Sequence, residues 1–458
     1  MKNLLVGPLR ESGISAVIVI DALDECKDEE PASAILSVLG QFVSQIPEVK
    51  FFLTGRPEPR IREGFRLPLL AKATDVFVLH NVEPSLINND LRLFFIGRFL
   101  ELADHRGGLD GWPTKRQLDL LCERAAGLFV YAAATVKFVD HRNNSPKKQL
   151  DRLIHSPETS DHEGKTKFRA ETTLDSLYMT ILQEAFGSDD QEDDPIVRSI
   201  LGAVTLAKNP LSPSAIATLL DFNTEDVFLH LSSVSSLLII QEDIKSPVRP
   251  FHKSFPDFIT NPARCASERF YISPPTHHLE ILLGCLNLMN QMLEKNMCKL
   301  PDAVTNSQVE DLSERINQYL NPALQYACKS WHKHLVDKYM THRPAIISTL
   351  HHFLEKKFLF WLEVLSVIGA AREAVDALDV AIRWLKVCSV SMLDVLPKFT
   401  QIGLRYHQLL TLPMTASILL LDSLRSSMNL PHISTTQPFH YPLKCQWCRN
   451  YINHLPTP

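Results

Sequence analysis

The stretch Ala16-Val-Ile-Val-Ile-Asp21-Ala-Leu-Asp24-Glu25 decides the fold of the first part of this chain. Residues 16–20 form a continuous, mostly β-branched run, which is typical of a strand buried on both faces of a parallel sheet. Asp21 then falls at the carboxyl end of that strand, where open α/β sheets bind their ligands. The stretch therefore predicts an α/β domain with an acidic site at one edge of its sheet.

The residues that follow predict further elements of the same sheet. A helix is expected from about Pro31, because apolar residues recur at helical spacing after a proline suited to a first turn. Val49 to Leu53 predicts a second buried strand, and Asp75 to Leu79 a shorter third one. A strand, a helix and a strand at this spacing form a βαβ unit.

Carboxylates at a strand end suit a site for magnesium and a nucleotide. In P-loop ATPases a carboxylate at this place helps to hold Mg²⁺, usually through water. Asp21 is the predicted metal ligand, and Asp24 and Glu25 on the next turn are placed to polarise an attacking water. The alternative is that these acids only cap the following helix, since apolar runs that end in Asp are common.

Two strings carry a resemblance to a known family. Val17-Ile-Val-Ile-Asp-Ala-Leu-Asp-Glu-Cys26 is followed by Phe51-Phe-Leu-Thr-Gly-Arg-Pro-Glu58. Together they closely resemble fungal NACHT proteins of the nephrocystin-like group, which are signal-transduction (STAND) P-loop NTPases whose second strand ends in a Thr-Ser-Arg-Pro-Glu sensor. Here Gly55 replaces the usual serine. The resemblance implies that Thr54 and Arg56 bind nucleotide; the alternative is a surface arginine paired with Glu58 or Glu63.

The middle of the chain predicts a winged helix. Three helices (Ile196–Ala207, a second through Leu220, Thr224–Ser235) precede two short strands (Leu237–Ile240, Val248–Phe251). Ser212 is the expected cap of the second helix and Pro213 its first residue. That helix carries no lysine or arginine between residues 214 and 220, so it lacks the groups that contact nucleic-acid phosphates.

The resemblance continues through this region in matching order. Residues 125–132 are similar to the family's helical lid, and residues 174–178, 210–212 and 251–258 are similar to its winged-helix landmarks. In related signalling ATPases a winged-helix histidine contacts the β-phosphate of ADP, and His252 occupies that motif. The resemblance thus implies that His252 binds nucleotide. The alternative is a histidine with a purely structural role.

A phosphate-binding loop is the element that the sequence lacks. Such a loop needs Gly-x-x-x-x-Gly-Lys-Ser/Thr between a strand and a helix, and in this family it lies well upstream of the acidic strand. About 15 residues precede that strand, and none of them forms a Gly-Lys pair. Gly164-Lys165-Thr166 has Thr159 in place of the first glycine and follows no buried strand, so it is not expected to bind phosphate.

These observations predict an α/β fold, a partial parallel P-loop NTPase sheet, followed by mostly α structure with a winged-helix domain. The expected order is a C-terminal part of a NACHT domain (1–82), a helical lid (83–155), a linker and connecting helix (156–195), the winged helix (196–272), a helical domain (273–389) and an irregular tail (390–458). Residues 140–170 are polar and read as a linker. ATP or ADP with Mg²⁺ is the cofactor that the resemblance implies.

The predicted function is that of a fragment of a NACHT-family signalling ATPase that acts as a nucleotide-dependent switch in self/non-self recognition or cell death. It is expected to be inactive in catalysis alone, because stabilisation of the phosphoryl group is the main part of this chemistry. Self-association or contact with other signalling proteins is expected. The alternative is a helical protein-interaction scaffold without nucleotide binding.

Composition excludes several other classes. The net charge of −5 gives no reason to expect nucleic acid or an anionic membrane as a partner, and no apolar stretch approaches about 20 residues. Nine scattered cysteines predict a reducing, cytoplasmic location. Cys445 and Cys448, with His440 and His454, lack the second cysteine pair that makes zinc sites specific. His277, His278, His351 and His352 read as helix-surface residues.

Overall fold

The computed structural model describes residues 6–13, 15–26, 29–56, 58–79, 82–109, 111–141, 144–155, 166–187, 194–301, 306–336 and 343–387. Within these ranges the chain is mostly helical, with one parallel and one antiparallel pair of strands. Its contacts divide it into two units, residues 1–90 and 91–458. The observed sheet is therefore much smaller than a complete α/β domain would contain, and the P-loop sheet stays a prediction.

The first unit is built on the predicted strand–helix–strand segment. Ala16 pairs with Val49 and Ile20 with Leu53, so the two strands are parallel and in the expected order. The elements of this unit are α1 (Gly7–Ser12), β1 (Ala16–Ile20), α2 (Glu29–Phe42), β2 (Val49–Leu53), α3 (Pro59–Phe65) and α4 (Pro68–Ala71). Both strands have the bounds that the β-branched and aromatic runs predicted.

In the described part of the chain, a hydrophobic core covers one face of this sheet. The core beside it consists of Leu23, Ala32, Leu36, Leu39, Ile61 and Leu70, with Ile20, Phe51 and Leu53 packed against it. On the other face Val17, Val19 and Phe52 are 66%, 63% and 59% exposed. The prediction of a strand buried on both faces is therefore wrong, because the side chains on the second face are largely exposed.

The predicted third strand is also absent from the described part of the first unit. Residues 75–79 have no ladder partner, and Val76 and Phe77 are 75% and 78% exposed. A run of β-forming residues becomes a strand only when a neighbouring strand supplies its hydrogen bonds. The prediction for Asp75 to Leu79 is wrong for that reason.

The second unit begins with a group of helices that includes one unpredicted member. The helices are α5 (Pro84–Arg106, which starts in the first unit), α6 (Lys115–Ala125), α7 (Phe129–Val139), α8 (Pro146–His155) and α9 (Thr166–Phe186). Residues 140–170 are thus not simply a linker. Leu150 and Leu153 of α8 are buried, and α8 contacts α6 and α7, so a short amphipathic helix lies inside a polar stretch.

Residues 194–272 contain the elements that the winged-helix prediction requires. These are α10 (Asp194–Leu206), α11 (Pro213–Leu220), α12 (Thr224–Ser233), β3 (Leu238–Ile239), β4 (Arg249–Pro250) and α13 (Ser254–Ile259). The Ser212 side chain accepts a hydrogen bond from the Ala215 N–H, as expected of a cap. β3 and β4 are antiparallel. The winged-helix assignment itself stays a prediction.

The remainder of the described chain is helical, as predicted. It comprises α14 (Pro274–Met292), α15 (Leu312–Tyr319), α16 (Pro322–Ser330), α17 (Arg343–His352), α18 (Phe358–Val367) and α19 (Glu373–Val387), with a π-helical turn at Phe353–Lys357. Trp331, Phe353 and Trp361 are fully buried and stack edge to face. This aromatic cluster joins the turn after α16, the π-helical turn and α18.

Histidines predicted on the surface of α14 are instead part of its packing. His277 is 5% exposed and its ring contacts α10 at Gly202. His278 Nδ1 lies 2.8 Å from His334 Nδ1, and His334 Nε2 lies 2.7 Å from the Tyr326 hydroxyl. Burial lowers the pKa of His278 to about 4 and also lowers the pKa of His334. Consecutive histidines on an apolar helix can therefore be buried when hydrogen-bond or packing partners are available.

Several predictions fall on residues outside the described ranges. They concern the tail from 390 to 458 with its Cys445 and Cys448, and the Gly164-Lys165 pair before α9. Six of the nine cysteines lie in described segments, and all six are free thiols. None of the helices in the described segments is long and apolar enough to cross a bilayer.

Candidate functional site

The predicted acidic residues and the predicted sensor meet at the carboxyl ends of β1 and β2. Thr54 follows β2, and its backbone N–H donates to the Ile20 carbonyl at 3.0 Å, which extends the ladder by one residue. The Thr54 hydroxyl accepts the Ala22 N–H at 2.8 Å and donates to Oδ1 of Asp21. Thr54 therefore orients the Asp21 carboxylate, which is exposed to solvent.

A second contact joins Asp24 to Arg56. Asp24 is 5% exposed, and its Oδ1 accepts the Arg56 backbone N–H at 3.0 Å. Its Oδ2 lies 3.5 Å from Nε of Arg56, whose side chain is 44% exposed. The two oxygens of one buried carboxylate thus hold both the backbone and the guanidinium of Arg56.

The turn after β1 has an unusual backbone that makes these contacts possible. Ala22 has φ 52° and ψ 51°, the left-handed region that costs an alanine about 1 kcal/mol. The Leu23 N–H donates to the Thr54 carbonyl at 2.9 Å, which ties this turn to the end of β2. The turn directs Asp21 outward and Asp24 inward. The sequence contained no signal for this difference between the two carboxylates.

Gly55 stands where the resembled family usually has serine, and the structure leaves room for a serine side chain there. A Cβ atom there would lie 3.4 Å from the Leu23 Cβ and 3.5 Å from Oδ1 of Asp24, which are ordinary contact distances. The glycine does not have a positive φ. The backbone at this place therefore accepts the serine that is usual in the resembled family.

The side chains of this cluster suit a hydrated cation and an anion rather than a metal ion that is ligated by protein groups alone. Asp21 and Glu25 are exposed carboxylates, and Arg56 presents part of a guanidinium beside them. In the described segments, no three His, Cys, Asp or Glu side chains converge on a metal position. Mg²⁺ commonly takes one or two carboxylates and completes its shell with water and phosphate oxygens, so a single outward carboxylate fits that ion.

His252 lies in the second unit, where two predicted landmarks come together. It follows β4, and its Nδ1 lies 2.6 Å from the Ser254 hydroxyl, which lies 2.7 Å from the Tyr178 hydroxyl. Tyr178 also packs against the rings of Phe255 and Phe258, with centroids 5.5 Å away in both cases. The segments around residues 174–178 and 251–258 therefore form one cluster.

An ion pair strengthens the same cluster, and sequence reasoning missed it. Asp175 accepts two hydrogen bonds from Arg264, at 2.6 and 3.0 Å, in a bidentate arrangement that is among the stronger side-chain contacts. Asp175 lies within the predicted landmark, but its partner is 89 residues away along the chain. Only the folded arrangement brings the two together.

Comparison with known proteins gives one similarity that covers most of the chain. Over 389 residues, 79% of this chain, the sequence is 24% identical to the vegetative incompatibility protein HET-E-1 of Podospora anserina. No family model matches the sequence, and no solved structure matches it. The match covers 26% of the HET-E-1 protein, so this chain spans about a quarter of the length of that curated relative.

Proposed function

We propose that this chain is a fragment of a NACHT-type signal-transduction ATPase and belongs to a nucleotide-dependent switch in fungal self/non-self recognition. The contact of Asp21 with Thr54 at the ends of two parallel strands is the observation that supports this most directly. The similarity to a vegetative incompatibility protein supports the same biological setting. Neither observation depends on the other.

In this proposal the residues have distinct roles. Asp21 holds Mg²⁺ through its outward carboxylate, Thr54 orients that carboxylate, and Arg56 contacts a nucleotide phosphate. Glu25 is the exposed acid that remains for polarising water, because the oxygens of Asp24 already contact Arg56. Bound Mg²⁺ would neutralise phosphate charge. His252 contacts the nucleotide in the second unit, and the residues around 196–272 act as the winged helix.

Turnover by this chain alone is not expected. Its 458 residues contain no Gly-x-x-x-x-Gly-Lys-Ser/Thr loop, and the backbone cradle and lysine of that loop supply most of the stabilisation in phosphoryl transfer. Binding of nucleotide is a weaker requirement than hydrolysis. The proposal is therefore tested by binding.

We expect Mg²⁺ and ADP at millimolar concentration to raise the melting temperature of the full chain, since a ligand of the folded state stabilises it by mass action. Asp21→Asn and Arg56→Gln should each reduce this shift. Asp104→Asn, which changes an exposed acid on α5, is the matched control and should leave the shift intact. ATP hydrolysis should stay at the blank rate in every variant.

A folded protein that shows no shift with either ADP or ATP would contradict the nucleotide proposal. It would favour the second candidate, a helical scaffold for protein contacts. The observation that supports the scaffold is the extent of helix in the second unit, from α5 to α19. Hydrolysis that Asp21→Asn abolishes would instead contradict the expected lack of turnover.

A further inference from the structure

The helix α5 has an exposed apolar face in addition to its buried one. Its buried side chains are Leu91, Phe95, Phe99 and Leu102. On the opposite face, Leu93 and Leu100 are 66% and 58% exposed. These two leucines lie one heptad apart, which is the spacing at which two helices pair along a seam. A single exposed leucine needs no explanation, but two aligned along one helix indicate a surface that can bind another helix.

Three further residues complete this exposed face. Asp90, Leu93, Gly97, Leu100 and Asp104 lie within about 80° of one another around the helix axis, at about 100° per residue. All five are exposed, and we call them the α5 row. The apolar centre of the α5 row therefore has a carboxylate at each end.

Gly97 leaves room at the centre of the α5 row. A Cβ atom there would meet nothing beyond its own turn of helix within 4 Å. A residue without a side chain lets the backbone of a binding partner approach closely. The α5 row thus presents two projecting leucines with a shallow gap between them, which a large apolar side chain of a partner helix can fill.

The charges on α5 indicate the kind of partner. The arginines of this helix already contact acids, in the pairs Arg92–Asp119, Arg98–Glu101 and Arg106–Asp140. Among the described residues, Asp90 and Asp104 form no ion pair. Two exposed carboxylates at the ends of an apolar row attract a helix that carries lysine or arginine at the ends of its own apolar row.

A second copy of this chain does not fit the charges of the α5 row. In a parallel pair of such rows each acid would face its own copy, and in an antiparallel pair Asp90 would face Asp104. Like charges would meet in both directions, and such contacts disfavour association. A partner with basic ends has no such conflict. Its cations would need to lie about 21 Å apart, since a helix rises about 1.5 Å per residue between Asp90 and Asp104.

We propose that the α5 row binds an amphipathic helix of another protein, one whose apolar seam has lysine or arginine at both ends. Leu93 and Leu100 supply the apolar contact, and Gly97 admits a side chain of the partner. Asp90 and Asp104 favour basic ends and disfavour acidic ones. This surface involves no nucleotide, so the inference goes beyond the proposed function and does not depend on it.

The test titrates the full chain into two fluorescent synthetic helices and measures their anisotropy. Both peptides are about 18 residues long, enough to span the α5 row, and carry the same leucine seam. One has lysine at both ends of the seam and the other has glutamate. We expect saturable binding of the lysine peptide, about tenfold tighter than that of the glutamate peptide, and a difference that shrinks as salt is added.

Variants of the chain assign this binding to the α5 row. Leu93→Ala and Leu100→Ala should each weaken binding of the lysine peptide about tenfold, because each removes the burial of one leucine. Gly97→Gln should weaken it by a similar factor, because the new side chain fills the gap. Leu229→Ala is the matched control, since Leu229 is 64% exposed on α12, and it should leave the affinity unchanged. The melting temperature of the unbound chain should not fall in any of these variants.

The charge argument has its own variant. Asp90→Asn combined with Asp104→Asn should bring the affinities of the lysine and glutamate peptides together. The proposal would be overturned if the lysine peptide did not bind, if the wild-type chain bound both peptides equally, or if Leu93→Ala and Leu100→Ala left the affinity unchanged. A wild-type chain that sediments as a dimer, and that Leu100→Ala converts to a monomer, would also overturn it, because a second copy would then occupy the α5 row.

Discussion

Replacing Asp24 by alanine is expected to lower the free energy of unfolding of the first unit by about 2–3 kcal/mol. The buried carboxylate accepts the Arg56 N–H at 3.0 Å and lies 3.5 Å from its Nε, so both contacts disappear together. The loss is smaller than for a fully buried ion pair because Arg56 is 44% exposed. Hydrogen exchange of the amides in β1 and β2, measured on the full chain, reports this change locally.

Two further variants make this experiment specific. Asp24→Asn keeps one oxygen acceptor and should cost less than Asp24→Ala. Asp21→Asn changes an exposed carboxylate and should cost under about 1 kcal/mol, since exposed polar contacts contribute little. If Asp21→Asn destabilised β1 and β2 as much as Asp24→Ala, the inward and outward roles of the two acids would be reversed.

Replacing Gly284 by alanine is expected to destabilise the second unit by about 2–3 kcal/mol. Its Cβ would lie 2.4 Å from the carbonyl oxygen of Leu219, at the end of α11. That atom belongs to the backbone and cannot rotate away, so α14 has to move from α11. Urea denaturation followed by the fluorescence of the tryptophans buried in the second unit, Trp112, Trp331, Trp361 and Trp384, measures this change.

Gly97 supplies the matched control for that variant. It also lies inside a helix, α5, but a Cβ there has no atom within 4 Å. Gly97→Ala should therefore stabilise the protein by about 0.5–1 kcal/mol, because alanine has the better helix propensity. Equal effects of the two substitutions would show that α11 and α14 are not in close contact at Gly284.

The elements of the first unit could be predicted where local pattern alone determines them. The runs at 16–20 and 49–53 form strands with the predicted bounds, and their parallel pairing brings Asp21 and Thr54 together. Burial of the second face could not be predicted in the same way. It depends on which other elements pack on the sheet. A β-branched run has the same sequence pattern whether one face of its strand is buried or both are.

The site was predictable as a group of residues but not as a set of contacts. Strand ends that lie side by side place Asp21, Asp24, Thr54 and Arg56 near one another, as the spacing indicates. Which acid contacts Arg56 depends on the left-handed Ala22, and alanine gives no sign of that conformation. The partners of Asp175 and His278 lie 89 and 56 residues away along the chain, so local pattern could not reveal them.

The open face of the β1–β2 sheet has a consequence for how firmly the candidate site is held. Each large apolar side chain left in water forgoes about 1.5–3 kcal/mol, so Val17, Val19 and Phe52 add little to the stability that the helix-packed face of the sheet provides. Among the described residues, Asp21 and Arg56 thus lie at the end of a sheet that is packed on one face, and thinly packed regions open more often than a full core does. A ligand bound to these residues would slow that opening. The rate of proteolysis of the first unit would therefore fall when the ligand is bound.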